Sequence, residues 1–130
     1  MSKEKSIACV VPRYGASIGG GAETLVREIV CNSLKNLFSN VEVWTTCAKD
    51  HRTWENVYPQ GESIEDDVVV RRFEVDERDT DIFIKHELAM QDGFLLSMHD
   101  QFEWLQNGVN SKNLYSHIAC LLYTSDAADE

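Results

Sequence analysis

The run Ile7-Ala8-Cys9-Val10-Val11 is apolar without polar alternation, the pattern of a strand covered on both faces in a parallel sheet, and it predicts a central strand. Over residues 22–37 the period changes. Ala22, Leu25, Val26, Ile29, Val30, Leu34 and Leu37 recur at steps of three and four, with Arg27, Glu28, Asn32 and Lys35 opposite, which predicts one amphipathic helix of about four turns. Ser39-Asn40 ends it, and Val41-Glu42-Val43-Trp44-Thr45, β-branched and aromatic, predicts a second strand reached by a right-handed parallel crossover. Residues 46–66 lack periodicity and hold Pro59 and Gly61, so they predict a long irregular excursion, a length reached mainly by functional connections. Val68-Val69-Val70-Arg71-Arg72-Phe73 predicts a third strand.

After a charged stretch at 74–81, Ile82, Phe83, Leu88, Met90, Phe94, Leu95 and Met98 predict helix interrupted near Gly93. Two short helices are expected over 101–106 and 111–119. The fold class is therefore α/β, a truncated Rossmann-like parallel sheet: the opening of a doubly wound sheet that stops after three strands.

A chain of 130 residues with 43% hydrophobic content can bury a core, so disorder is not the default state. Twelve basic against 22 acidic residues give a net charge of −10, the wrong sign for gathering nucleic acid or anionic lipid by bulk electrostatics, and no nucleic-acid partner is expected. An anionic ligand must be held by local geometry. The apolar run stops at Pro12, short of a signal-peptide core or membrane span, which points to a cytoplasmic chain. Cys9, Cys31, Cys47 and Cys120 form no C-x-x-C pair, which argues against a disulfide framework or tetrahedral zinc and for buried thiols.

The candidate chemistry lies between the first strand and the helix, where Gly19-Gly20-Gly21-Ala22-Glu23 closes a turn-rich loop. Glycines let backbone approach an anion closely, and the following helix offers free N–H groups and the positive end of its dipole. Gly20 and Gly21 are the candidate diphosphate-binding residues, a tight turn without ligand being the plain alternative. Glu23, in the first turn, is favoured by the dipole whether it braces the loop, touches an acceptor or does neither. Arg13 and Tyr14 sit at the carboxyl end of a strand, where open α/β sheets bind ligands. Trp54, in the excursion, offers a face for a sugar ring or a pin for its own loop.

Gly20-Gly21-x-Glu23 after the first strand resembles the G-G-x-E loop of family-4 glycosyltransferases of the two-domain B fold. Pro12-Arg13-Tyr14-Gly15, Thr45-Thr46, Thr53-Trp54, Pro59-x-Gly61 and Val70-x-Arg72-Phe73 are similar to a branch with nucleotide-sugar-dependent, often mannosyltransferase-like members, over roughly residues 6–119. The resemblance implies transfer of a sugar from a nucleotide-diphosphate donor to a glycan or lipid-linked acceptor. Anomeric configuration is retained, in a cleft between two Rossmann-like domains, with no cofactor and no required metal. A location at the inner face of the membrane, with peripheral association, fits a lipid-linked acceptor.

The resemblance also implies what the chain lacks. The family's first domain continues through further strands to a cleft histidine, and its second carries the nucleotide pocket, a basic pair and spaced glutamates. His117 precedes the expected place of that histidine and does not inherit its role. No catalytic residue is assigned, and the missing C-terminal domain counts as a partner without which residues 1–119 are expected to be inactive. Residues 120–130, from Cys120 to Glu130, resemble translated sequencing adapter, so the domain expectation is 1–119 natural and 120–130 spurious.

Other residues have plainer readings. Arg72 and Arg78 are expected to pair with Asp76, Glu77, Asp79 and Asp81 in a solvated charge mixture. His86-Glu87 and His99-Asp100 lack partners at ligand spacing, and His51 is isolated, so no metal is expected. Met90, Phe94, Met98 and Phe102 read as core, an exposed arrangement suiting a membrane-facing acceptor site instead. Two other functions stay open. A non-catalytic α/β binding module could use the glycine loop for an anion or partner. A dinucleotide-dependent oxidoreductase opens the same way, though residues 15–21 do not fit G-x-G-x-x-G and the second strand ends in Trp44-Thr45-Thr46 without a ribose-binding acid.

Overall fold

The structure, a computed structural model, describes the backbone of residues 5–129 and side chains as far as residue 121. Met1–Glu4 and most side chains of the adapter-like tail lie outside that part. The chain divides into two compact units, Met1–Val75 with Ser111–Glu130, and Asp76–Asn110.

The first unit is built on β1 (Ser6–Val10), β2 (Asn40–Thr46), β3 (Gly61–Glu65) and β4 (Val68–Phe73), ordered β1-β2-β4-β3. β1 pairs parallel with β2 and β2 with β4, while β3 runs antiparallel to β4. The protein is thus α/β with a four-stranded mixed sheet, an arrangement compatible with a Rossmann-like fold. Two expectations are corrected. The sheet has four strands among the described residues, and β1 lies at its edge, with Val10 half exposed; β2 is central.

The fourth strand was hidden in the irregular segment. Gly61-Glu62-Ser63-Ile64-Glu65 is polar, and Ile64 is 74% exposed, because an edge strand with one face in water needs no apolar run. The turn to β4 is Asp66-Asp67, with φ of 52° and 63°. Two successive positive φ values are what a two-residue hairpin of right-handed twist requires, and aspartate tolerates them better than most residues.

Between β1 and β2 run α1 (Gly21–Ile29), a π-helical turn (Val30–Leu34) and α2 (Lys35–Leu37). The single regular helix expected over 22–37 is therefore interrupted. One residue added to a turn rotates the remainder of the helix by about 100°, and Leu37 is 60% exposed in place of joining the apolar face. Val26, Val30 and Leu34 do face the sheet, packing with Val11, Tyr14, Val41, Val43, Val68 and Val70 in the core. α5 (Lys112–Asp129) begins where Ser111 Oγ accepts from Leu114 N and donates to Glu74 O.

The second unit, Asp76–Asn110, holds α3 (Thr80–Gln91) and α4 (Met98–Gln106), capped by Asp79 and Ser97 through their side-chain oxygens. Gly93, at φ 87°, lies in the break between them. Here the core reading fails: Phe94, Met98 and Phe102 are 67%, 74% and 58% exposed, and Met90 is also exposed. Their near-helical spacing is real, but the stripe faces outward. Of the four cysteines, Cys47 is buried, Cys9 and Cys31 are half-buried, and Cys120 is exposed. No helix among the described residues is long and apolar enough to cross a membrane.

Candidate functional site

The loop leaving β1 is anchored before it reaches the glycines. Val11 N donates to Trp44 O, and Thr46 Oγ1 donates to Pro12 O at 2.6 Å, fixing the loop above the carboxyl ends of β1 and β2. α1 then opens with Thr24 N donating to Gly20 O. Gly20 occupies the N-cap position, so no side-chain oxygen caps the first-turn N–H groups, which are left for an anion or water.

The three glycines serve different ends. Gly20 has φ 140°, and a Cβ there would lie 2.6 Å from Glu23 Oε2, so the backbone itself demands glycine. Gly19 and Gly21 face open space, with no atom within 4 Å of a Cβ position. Their lack of side chain serves no contact within the fold, and it leaves the helix start accessible.

Arg13 holds this loop in shape. Its guanidinium donates to Glu23 Oε1 at 3.2 and 3.0 Å, to Gly19 O at 3.3 Å and to Lys49 O at 3.0 Å. At 8% exposure it is a buried cation with most of its donors satisfied. Glu23 Oε1 carries the pair with Arg13. Trp54 lies with its ring 5.8 Å from the Arg13 guanidinium and has φ 55°, an uncommon backbone for an aromatic residue. Its backbone N donates to Asp50 O, within its own loop.

An open cleft of ≈ 520 Å³ lies beside the loop, lined by Arg13, Gly19, Lys49, His51, Arg52 and Glu55 among others. Lys49 and Arg52 were missed in the sequence. Their cationic character is local, set in a chain of net charge −10, and the signal for it was Lys49-Asp50-His51-Arg52 inside the long excursion. That excursion is ordered: Val57 N and Tyr58 N both donate to Cys47 O, and Asn56 bonds the Val75 backbone through both its amide atoms. A second open depression, ≈ 560 Å³, is walled by Glu77, Arg78, Asp79 and Asp81 and repels anions.

Tyr14 does not belong to the cleft. It is 1% exposed and part of the core, so its side chain is closed to an acceptor. Burial, reinforced by Cys31 and the carboxylates of Asp66 and Glu65, pushes its phenol up to about 12. The neutral form is favoured in the fold, so this stability is complete below the ordinary value of 10 and is lost as pH rises through 12. In ultraviolet titration, one of the four tyrosines is expected to ionise near pH 12, with Tyr14→Phe removing that step.

Arg72 also departs from expectation. It is 4% exposed and makes no solvated mixture with the acids at 76–81. Its guanidinium donates to Tyr14 O at 2.8 Å and Thr46 O at 3.2 Å, pairs with Glu65 at 3.1 Å and stacks over the Tyr58 ring at 4.1 Å. It ties the β1 loop, β2 and the hairpin together beneath the cleft. Arg78 donates to Asn107 O and lies 5.3 Å from the Phe83 ring centre, within its own unit. His117 packs against Trp44, ring centres 4.5 Å apart, and against Phe73, a structural position on the sheet.

One histidine of the second unit does find partners at ligand spacing: ligand atoms of His86, Asp100 and Glu103 lie within 4.8 Å of one another. Adjacent residues in sequence gave no hint, because the grouping spans two helices. Comparison of the chain with protein-family models, with curated proteins and with solved structures finds no match.

Proposed function

We propose that the chain is the N-terminal, Rossmann-like part of a retaining family-4 glycosyltransferase of the B fold, and that its glycine loop receives the diphosphate of a nucleotide-sugar donor. The observation that carries this is the uncapped start of α1 beside Gly19 and Gly21, whose missing side chains leave open space. Donors aimed at a diphosphate stabilise the charge that grows on it as the glycosidic bond breaks. Arg13 and Glu23 act as positioning residues, holding the loop without a step of their own. Lys49 and Arg52 place cations on the cleft wall, where Asp50 and Glu55 also lie, so an anion would be held by individual contacts and not by a net positive wall.

Two further features support the larger parent protein. β1 is apolar from Ile7 to Val10 yet sits at the sheet edge, as expected of a strand whose sheet continues in additional parallel strands. Phe94, Leu95, Met98 and Phe102 are exposed on the second unit, which suits a lipid-linked acceptor and peripheral contact with a membrane. The activity belongs to the two-domain protein, with residues 1–119 alone giving no transfer.

Reading the source DNA past Ala119 tests this. A further strand, a cleft histidine and a later pair of spaced glutamates are expected. A stop codon there, or measurable sugar transfer by residues 1–119, contradicts the proposal; a stop codon would favour a small anion-binding module.

A further inference from the structure

Residues 76–110 form a unit of about 35 residues, a size at which a disulfide, a metal or a partner usually has to substitute for a missing core. Its packing shows that need. Among the described residues of this unit, His86 alone is fully buried, while Leu88, Phe94, Leu95, Met98, Phe102 and Leu105 point outward. A titratable imidazole thus occupies the place where an apolar side chain would normally sit.

We infer that His86, His99, Asp100 and Glu103 form a structural site for a divalent transition metal that clamps α3 to α4. His99, Asp100 and Glu103 share one face of α4 by their three- and four-residue spacing, and His86 comes from α3. His86 Nε2 is 3.0 Å from Glu103 Oε1, and His99 Nε2 is 3.5 Å from Glu103 Oε2. Metal bonds of about 2.0–2.2 Å in a tetrahedron place neighbouring ligand atoms roughly 3.4 Å apart; the ligand atoms of His86, Asp100 and Glu103 already lie within 4.8 Å of one another, and the exposed His99, outside that group, has to turn inward to complete the shell.

Two imidazoles and two carboxylates suit zinc, cobalt or nickel, whereas calcium and magnesium favour all-oxygen sets. The surroundings are already fixed. Trp104 Nε1 donates to Glu87 Oε1 at 2.8 Å and the Trp104 and Phe83 rings stack, so α3 and α4 are held in register next to the ligands. On binding, His86 presents an unprotonated Nε2 and keeps its proton on Nδ1.

The test is titration of the full, untagged chain with cobalt chloride, followed by zinc competition. One equivalent is expected to bind, giving ligand-field absorption without an intense thiolate band, and to raise the thermal midpoint. His86 is buried and its truncation threatens the fold, so the variants are His99→Ala, at an 83% exposed side chain, and Glu103→Gln. Each is expected to weaken cobalt binding at least about tenfold with unchanged far-ultraviolet dichroism. Absence of binding below millimolar cobalt, a thiolate band showing capture by cysteines, or affinity equal to the parent's in both variants would overturn the assignment.

Discussion

Arg72→Met is expected to lower stability by about 3 kcal/mol, seen as a fall of roughly 10 °C in the thermal midpoint. Methionine retains most of the buried stem but none of the donors. The carbonyls of Tyr14 and Thr46 lose the guanidinium that now reaches them at 2.8 and 3.2 Å, and buried acceptors without partners cost about 1–3 kcal/mol each. Stacking over Tyr58 disappears as well. The Glu65 pair adds little to this, since that carboxylate is 35% exposed and regains water. Arg78→Met, removing one carbonyl contact and a looser ring contact, is expected to cost under about 1 kcal/mol. Equal midpoints for Arg72→Met and the parent would show that Arg72 does not clamp the sheet.

The second large effect falls on binding and leaves stability alone. Gly21→Val should leave the thermal midpoint within about 2 °C of the parent, because no atom lies within 4 Å of the new Cβ and the change costs only the modest propensity of valine at a helix start. It should weaken pyrophosphate binding at least about tenfold, worth about 1.4 kcal/mol, by placing branched carbon over the N–H groups of the first turn. Gly20→Val should behave oppositely. With φ 140° and Glu23 Oε2 2.6 Å from a Cβ, it distorts the loop and lowers stability by about 2 kcal/mol. Separating the two glycines in this way distinguishes a ligand surface from a tight turn.

Much of the first unit was legible. Strands whose faces are both covered announce themselves as apolar runs, and β4 spans the residues its composition predicts. β3 was not legible, since its polar residues and glycine-free Asp66-Asp67 turn carry none of the usual hairpin cues. The π turn left no trace either, because inserting one residue into a helix changes its phase without changing its composition. In the second unit periodicity misled: a stripe at helical spacing indicates a shared face, but only packing decides whether that face is covered.

The site was legible in part for the same reasons. Glycine chemistry is local, so the loop and the dipole end of α1 could be located from a short run of neighbouring residues. The roles of Arg13 and Arg72 depend on partners 6 to 58 positions away, and the grouping of His86 with Glu103 spans 17 positions. Such long-range pairings have no sequence signature in a single chain. Arg72 in particular lies within a few residues of several acids, yet its folded partners are two carbonyls and Glu65.

The central claim is that the start of α1 is an anion site, and amide chemical-shift mapping of the full chain titrated with pyrophosphate tests it most directly. The account predicts that the amides of residues 19–24 shift together and saturably, with smaller movement at Lys49 and Arg52, and that Gly21→Val abolishes the response. Unmoved amides at 19–24, or shifts of the same size in Gly21→Val, would contradict it.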